Sequence, residues 1–221
     1  MQNDKYSIRV IRSRRKRRIT MRFAPDGSLE IRAPEDIDDS FIKNMVAENS
    51  AAIARLQRRT PIKNKPDLSG KTPLLLLGEK YPLRFTHNLR IFDHAFLVPQ
   101  DSPENIKISV ITLYRELARI IISRRLANLE RTSGLTPQKI RISGADTRWG
   151  SCSTAGTLSF SWKLIQCPPE TVDYVIAHEL SHLKEMNHSP KFWKLVQEII
   201  PDYRKRRKQL NDFAESLPDW D

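Results

Sequence analysis

His178-Glu179-Leu180-Ser181-His182, with His188 six positions past the second histidine, is the stretch from which the chain is best read. Residues four apart on a helix share a face, so His178 and His182 can present two imidazoles to one metal ion. Glu179 lies beside them, placed to take a proton from a water at the metal. His188 falls just past the expected helix end and closes a three-histidine set with one coordination position left open. That open position is what distinguishes a catalytic zinc site from a structural one. Imidazole also supplies the neutral ligand form that zinc needs at working pH. On the same helix Val172, Val175, Ile176, Leu180 and Leu183 form an apolar stripe for the core, and the two histidines fall on the neighbouring stripe. The pattern predicts a metal-dependent hydrolase.

An HExxH string also arises by chance among surface helix residues. His188, the alternating strand upstream and the apolar helix body set this one apart. Glu198, on the following helix, is the alternative third ligand; Asn187-His188 is preferred because it follows directly where the chain must turn. A metzincin site is excluded: it needs glycine three residues after the second histidine, where Glu185 stands, and a downstream methionine turn, and no methionine follows Met186. His87 and His94 are read as surface or packing residues.

Upstream, Leu158, Phe160, Trp162 and Leu164 alternate with Thr157, Ser159, Ser161 and Lys163, which predicts a strand. Pro168-Pro169 breaks the chain before a helix over about Glu170 to Met186, and Ser189-Pro190 opens another, interrupted at Pro201. Pro103 to Ser133 carries a long helical pattern with Gly134 as its stop, and Ile140-Arg141-Ile142 is a short strand. In the first hundred residues, Tyr6 to Ile11, Ile19 to Phe23 and Leu29 to Arg32 read as strands, with Ile8 and Val10 sharing a face and a turn at Pro25-Asp26-Gly27-Ser28. Asp38 to Arg59 reads as one amphipathic helix and Thr60 to Pro73 as a linker; Leu74 to Leu77, Tyr81 to Phe85 and Ala95 to Val98 read as short strands. The expected fold class is α+β: a small, mostly β region with one helix over 1–100, then a zincin-like catalytic domain over 101–221.

With 221 residues the chain has room for that arrangement. Thirty-eight Lys and Arg against 26 Asp and Glu give a net charge of +12, a field that favours anionic partners. Two cysteines, Cys152 and Cys167, make no disulfide framework. No apolar run is long enough to span a bilayer, and no apolar segment follows Met1-Gln2-Asn3-Asp4-Lys5 as in a signal peptide, so a cytoplasmic protein without a membrane partner is expected. Nothing in the sequence sets the oligomeric state.

Four motifs in order carry a family resemblance: Thr147-Arg148-Trp149-Gly150-Ser151-Cys152-Ser153, Leu158 to Ile165, Asp173 to Leu183, and Asn187-His188-Ser189-Pro190-Lys191-Phe192-Trp193. Together with Leu77-Gly78-Glu79-Lys80-Tyr81-Pro82-Leu83, they resemble the YgjP-like metallopeptidase domain, a bacterial family of metal-dependent hydrolases similar to SprT-like zincins. The resemblance covers nearly the whole chain. It implies a zincin-type fold, zinc held by His178, His182 and His188, and Glu179 as general base. In zincins an edge strand beside the active-site helix lines the substrate cleft, and Thr157 to Leu164 is expected in that place, with Phe160 and Trp162 among the substrate-binding residues. Arg148 and Trp149 are expected at the cleft rim and Tyr203 near a substrate oxygen; buried packing is the plainer role for Trp149, Cys152 and Tyr203.

The substrate stays open between a peptide and a nucleotide, because some members of this family carry a nucleoside triphosphate pyrophosphatase assignment, for example on UTP. Activated water attacks phosphorus as well as an amide carbon. Two basic runs add a third reading. Arg12 to Arg18 holds six basic residues in seven, and Arg204 to Lys208 five in five. Gathered on one face they would suit nucleic acid, and by analogy with SprT-like relatives a DNA-associated protease. Solvated faces are the ordinary form of such runs.

Overall fold

The computed structural model describes residues 2–3, 6–14, 17–24, 26–59 and 64–220. The chain divides into two compact units, Met1–Pro66 together with Glu215–Asp221, and Asp67–Ala214. This division falls within the stretch read as a linker, Thr60 to Pro73.

The first unit holds strands β1 (Gln2–Asn3), β2 (Tyr6–Arg12), β3 (Thr20–Phe23) and β4 (Leu29–Ala33), then helices α1 (Asp39–Glu48) and α2 (Ser50–Arg59). The sheet order is β1-β2-β4-β3, with β2 parallel to β4 and the other pairs antiparallel. Alternation explains its core. Tyr6, Ile8 and Val10 of β2 pack on a buried cluster of Phe23, Leu29, Ile31, Ala33, Ile42, Val46 and Ile53. On the polar side Glu30, 6% exposed at its side chain, binds Arg22 and Arg32. The single helix expected over Asp38 to Arg59 is two helices. Asn49 breaks it by turning both its backbone N–H and its side-chain Nδ2 onto the Met45 carbonyl, at 3.0 and 2.8 Å. Pro25 and residues 60–63, parts of the expected turn and linker, lie outside the described residues.

The second unit begins with short strands β5 (Leu74–Leu76), β6 (Glu79–Tyr81), β7 (Leu83–Phe85), β8 (Arg90–Phe92) and β9 (Ala95–Val98). Leu77 and Gly78, both at positive φ, form the two-residue turn joining β5 to β6, which pair antiparallel. That turn is fastened to the helical part of the unit: the Leu77 and Gly78 N–H groups donate to the Ile165 and Gln166 carbonyls at 2.7 and 3.0 Å. Tyr114 donates to the Leu75 carbonyl at 2.7 Å and packs on Phe96. These bonds and the buried strand β9 place residues 67–98 with the helices that follow.

Helix α3 (Pro103–Ser133) runs as expected, from a Ser102 cap that accepts from the Asn105 N–H to Gly134 in the left-handed conformation. A second sheet follows, of β10 (Lys139–Ser143), β11 (Gly150–Cys152) and β12 (Thr157–Ser161), in the order β10-β12-β11. The strand expected over Thr157 to Leu164 stops at Ser161, whose side chain caps a 3-10 helix, Trp162–Gln166, by accepting from the Lys163 N–H. More consequentially, β12 is the central strand, parallel to β10 and antiparallel to β11. It is therefore not the edge strand. Helices α4 (Pro169–Ser181), α5 (Pro190–Ile199) and, as far as Ala214, α6 (Tyr203–Ser216) complete the unit, and α4 packs on α3, α5 and β11. No helix among the described residues is long and apolar enough to cross a membrane.

Candidate metal centre

Pro169 in the first turn of α4 starts the helix, and the Thr171 hydroxyl donates to the Pro168 carbonyl at 2.7 Å. Arg125 of α3 holds Asp173 at 2.7 Å, while Val172, Val175, Ile176, Ala177 and Leu180 are buried. The helix ends at Ser181 rather than near Met186. His182 caps it with φ −66° and ψ −16°, still right-handed, so His178 and His182 keep their helical relation. Shorter-range bonds tighten the exit: the Leu183 N–H donates to Leu180 and the Lys184 N–H to Ser181. This brings the Glu185 carbonyl 3.0 Å from His182 Nδ1. A carbonyl only accepts, so Nδ1 carries the proton and Nε2 keeps its lone pair for a ligand. His188 then stands one residue before Ser189, whose hydroxyl accepts from the Phe192 N–H to open α5.

The consequence is a convergence. One ligand nitrogen from each of His178, His182 and His188 lies within 4.8 Å of the others, and the His178 and His188 Nε2 atoms are 3.1 Å apart. Two nitrogens each bound to one tetrahedral zinc at its usual bond length would be ~3.3 Å apart, a separation that the His178–His188 pair approaches. Burial, then the neighbouring histidines, pushes the His178 pKa down to about 3 and His188 below its ordinary value. Both rings are thus neutral, the form that ligates. His182 is 8% exposed.

Phe192, fully buried, is the floor of the cluster. Its ring centroid lies 4.9, 4.5 and 4.8 Å from those of His178, His182 and His188. Trp193 stacks on His188 at 5.7 Å and on Tyr203 at 5.4 Å. His178 Nδ1 is buried with no hydrogen-bond partner among the described residues, and the ring packs against Phe192, Trp193 and Tyr174.

Glu179, 6% exposed, lies against Gly150 of β11. Burial raises its pKa to about 7, opposed by the charge of Arg148. The carboxyl fits only because residue 150 is glycine: a Cβ there would stand 2.6 Å from Glu179 Cγ and Oε1. A pocket of about 240 Å³ adjoins it, with Arg148, Trp149, Tyr174, His178, Glu179 and Arg207 among its lining residues.

The expected site residues therefore separate. His178, His182 and His188 come together, and Glu179, Arg148 and Trp149 line one pocket with His178. Phe160 and Trp162 do not: β12 is central, both side chains are buried in the core, and Trp162 stacks on Tyr114 at 5.3 Å. Tyr203 is buried beneath Trp193, and its hydroxyl accepts from Arg204 Nε at 3.2 Å, so it supports the aromatic floor. Glu198 is exposed and outside the histidine cluster. His94 forms a turn with Asp93, both at positive φ, and packs on Tyr81. The sequence reading missed Tyr174, Phe192, Trp193 and Arg207 as site residues; the Ser189-Pro190 helix start, placing Phe192 in the first turn just after His188, was the available signal.

Part of each basic run is engaged. Arg12 pairs with Asp39, Arg14 with Glu35 at 2.8 Å, and Arg206 with Asp202 at 2.8 Å. Arg207 covers the Trp193 ring at 5.2 Å. Arg15 and Lys16 lie outside the described residues.

Two histidines at the end of α4 and a third just before α5 could hold a metal ion together, with a carboxylate adjoining on α4. The chain belongs to the YgjP-like metallopeptidase domain family, which matches residues 17–213. Among solved structures, that of the metallopeptidase zymogen of Pyrococcus abyssi abylysin is similar over 44% of this chain and 99% of that chain, at 20% identity and a TM-score of 0.40. No curated protein matches the chain.

Proposed function

We propose that this protein is a zinc-dependent peptidase in which His178, His182 and His188 hold the ion and Glu179 is the general base. The observation that carries the reading is the gathering of three imidazole nitrogens within 4.8 Å beside a buried carboxylate on the next residue. When bound, zinc supplies a Lewis acid that polarises the scissile carbonyl and acidifies the attacking water. Glu179 takes that water's proton and passes it to the leaving amine; its burial gives it a base strength suited to neutral pH. Among the described residues β11 pairs only with β12, so its other edge is open to an extended peptide beside α4. Residues Gly150 to Cys152 thus take the role that the sequence reading gave to Thr157 to Leu164.

Nucleoside triphosphate hydrolysis would use the same four residues, but a peptide makes better use of an open strand edge. Nucleic-acid binding is weakly supported, since Arg12 and Arg14 are already ion-paired. The test is metal analysis followed by one screen of wild type and Glu179→Gln against casein, a peptide panel, UTP and other triphosphates, and DNA. The peptidase reading expects bound zinc, and peptide cleavage abolished by chelator and by Glu179→Gln. Pyrophosphate release from UTP without peptide cleavage would reassign the site, and a protein that takes up no metal would end the reading.

A further inference from the structure

Two arginines from distant parts of the chain line the pocket beside Glu179: Arg148, just before β11, and Arg207 on α6. Asn211, one helical turn beyond Arg207, and Tyr174 add polar groups. Elsewhere in this unit Arg125 and Arg206 are matched by Asp173 and Asp202. Arg148 and Arg207 have no such ion pair among the described residues, although the charge of Arg148 acts on Glu179. Nor is Arg207 loosely placed. Its guanidinium lies over Trp193, and Trp193 is stacked on the ligand residue His188, so the cation is registered to the metal centre. Stacking uses the face of a guanidinium and leaves its N–H edge, which grips a carboxylate with two parallel hydrogen bonds.

The space is small. At about 240 Å³ it falls below the roughly 300–1,000 Å³ of sites that enclose drug-sized ligands, and it matches one side chain better than a nucleoside triphosphate. We infer that this pocket is a specificity subsite for an acidic side chain, Glu or Asp, next to the scissile bond, with Arg207 and Arg148 as its recognising groups. The inference rests on the peptidase reading above and supplies its substrate class. The net charge of +12 favours encounters with acidic substrates.

The test uses the full chain, zinc-loaded, and peptides identical except for Glu, Gln or Lys at each position flanking the cleaved bond. Wild type should favour Glu over Gln in kcat/KM by ~10-fold or more, the scale of a charge-assisted hydrogen bond. In Arg207→Gln that ratio should fall toward one, and in Arg207→Glu the preference should turn to Lys. Equal Glu and Gln rates in wild type, or an unchanged ratio in both variants, overturn the subsite. A second measurement needs no turnover: calorimetric binding of the same peptides to Glu179→Gln, where selectivity for Glu should appear and fade on adding Arg207→Gln. Cleavage without Glu selectivity removes the subsite and leaves the peptidase reading. Glu-selective binding without cleavage does the reverse, and absence of both removes both.

Discussion

Replacing Gly150 with alanine adds one methyl group directly against the proposed base. The new Cβ would sit 2.6 Å from Glu179 Cγ and Oε1, and ordinary contact begins at 3.4 Å, so the carboxyl must retreat by about 0.8 Å. Gly150 has no positive φ, so alanine adds no backbone strain, and the group that must move is a side chain rather than backbone. Stability should change little. Misplacing a reacting group by ~1 Å costs on the order of 100-fold in rate, about 2.7 kcal/mol of barrier. The expected result is a loss of that order in kcat/KM with zinc content and melting temperature near wild type. Glu179→Ala removes both crowded atoms, so Gly150→Ala should cost less in that background than alone, a non-additivity read by a double-mutant cycle. Full activity in Gly150→Ala would refute the idea that this contact positions the base. Loss of zinc instead would show that the strain reaches the histidines.

Four other outcomes follow from the same geometry. Chelator should remove the metal and activity together, and zinc should restore them where magnesium and calcium do not, because an all-imidazole set suits borderline rather than hard ions; rescue by magnesium would contradict the assigned ligands. Phe192→Ala should destabilise by about 3–5 kcal/mol in urea unfolding and weaken zinc affinity, since it removes the floor under three rings; wild-type affinity in the folded variant would count against that role. Ser189→Ala should cost about 1 kcal/mol, the value of an N-cap, and an unchanged unfolding midpoint would deny the cap. In the first unit Arg22 and Arg32 hold the Glu30 carboxyl below its ordinary value. Its contribution is therefore full above the unfolded pKa of ~4.3 and lost as pH falls through the lowered folded value. Glu30→Gln should flatten the acid side of a stability–pH curve, and identical curves for both proteins would show that the pairs carry no linkage.

Features written in local signals were legible beforehand. Pro103 and Gly134 mark the ends of α3, and Ile8 and Val10 give the facing of β2. The triad was also visible, because its spacing follows from helical geometry and a following turn. Features decided by distant partners were not. Gly150-Ser151-Cys152 has no apolar alternation, and only pairing with β12 makes it a strand. Whether β12 is central or at an edge depends on β10 and β11 together, which is why Phe160 and Trp162 were expected at the substrate and are found in the core. The alternating pattern through Leu164 hid the 3-10 helix, since the Ser161 cap outweighs it. Arg207 was visible only as one of five consecutive basic residues, and nothing in that run distinguishes the one that meets Trp193.

The connection from His182 through the Glu185 carbonyl to the Ser189 cap has a bearing on folding order. All three histidines fall within eleven residues of chain, so closing that loop demands little chain entropy. Glu179 meets its wall only when Gly150 arrives from 29 positions upstream, and Arg207 joins from 28 positions downstream. The capacity to capture an ion is thus a short-range property, while the cleft that would use it waits on long-range closure. A variant stalled between the two would still hold its metal and lack a working base, so metal content alone is a poor gauge of a correctly folded centre.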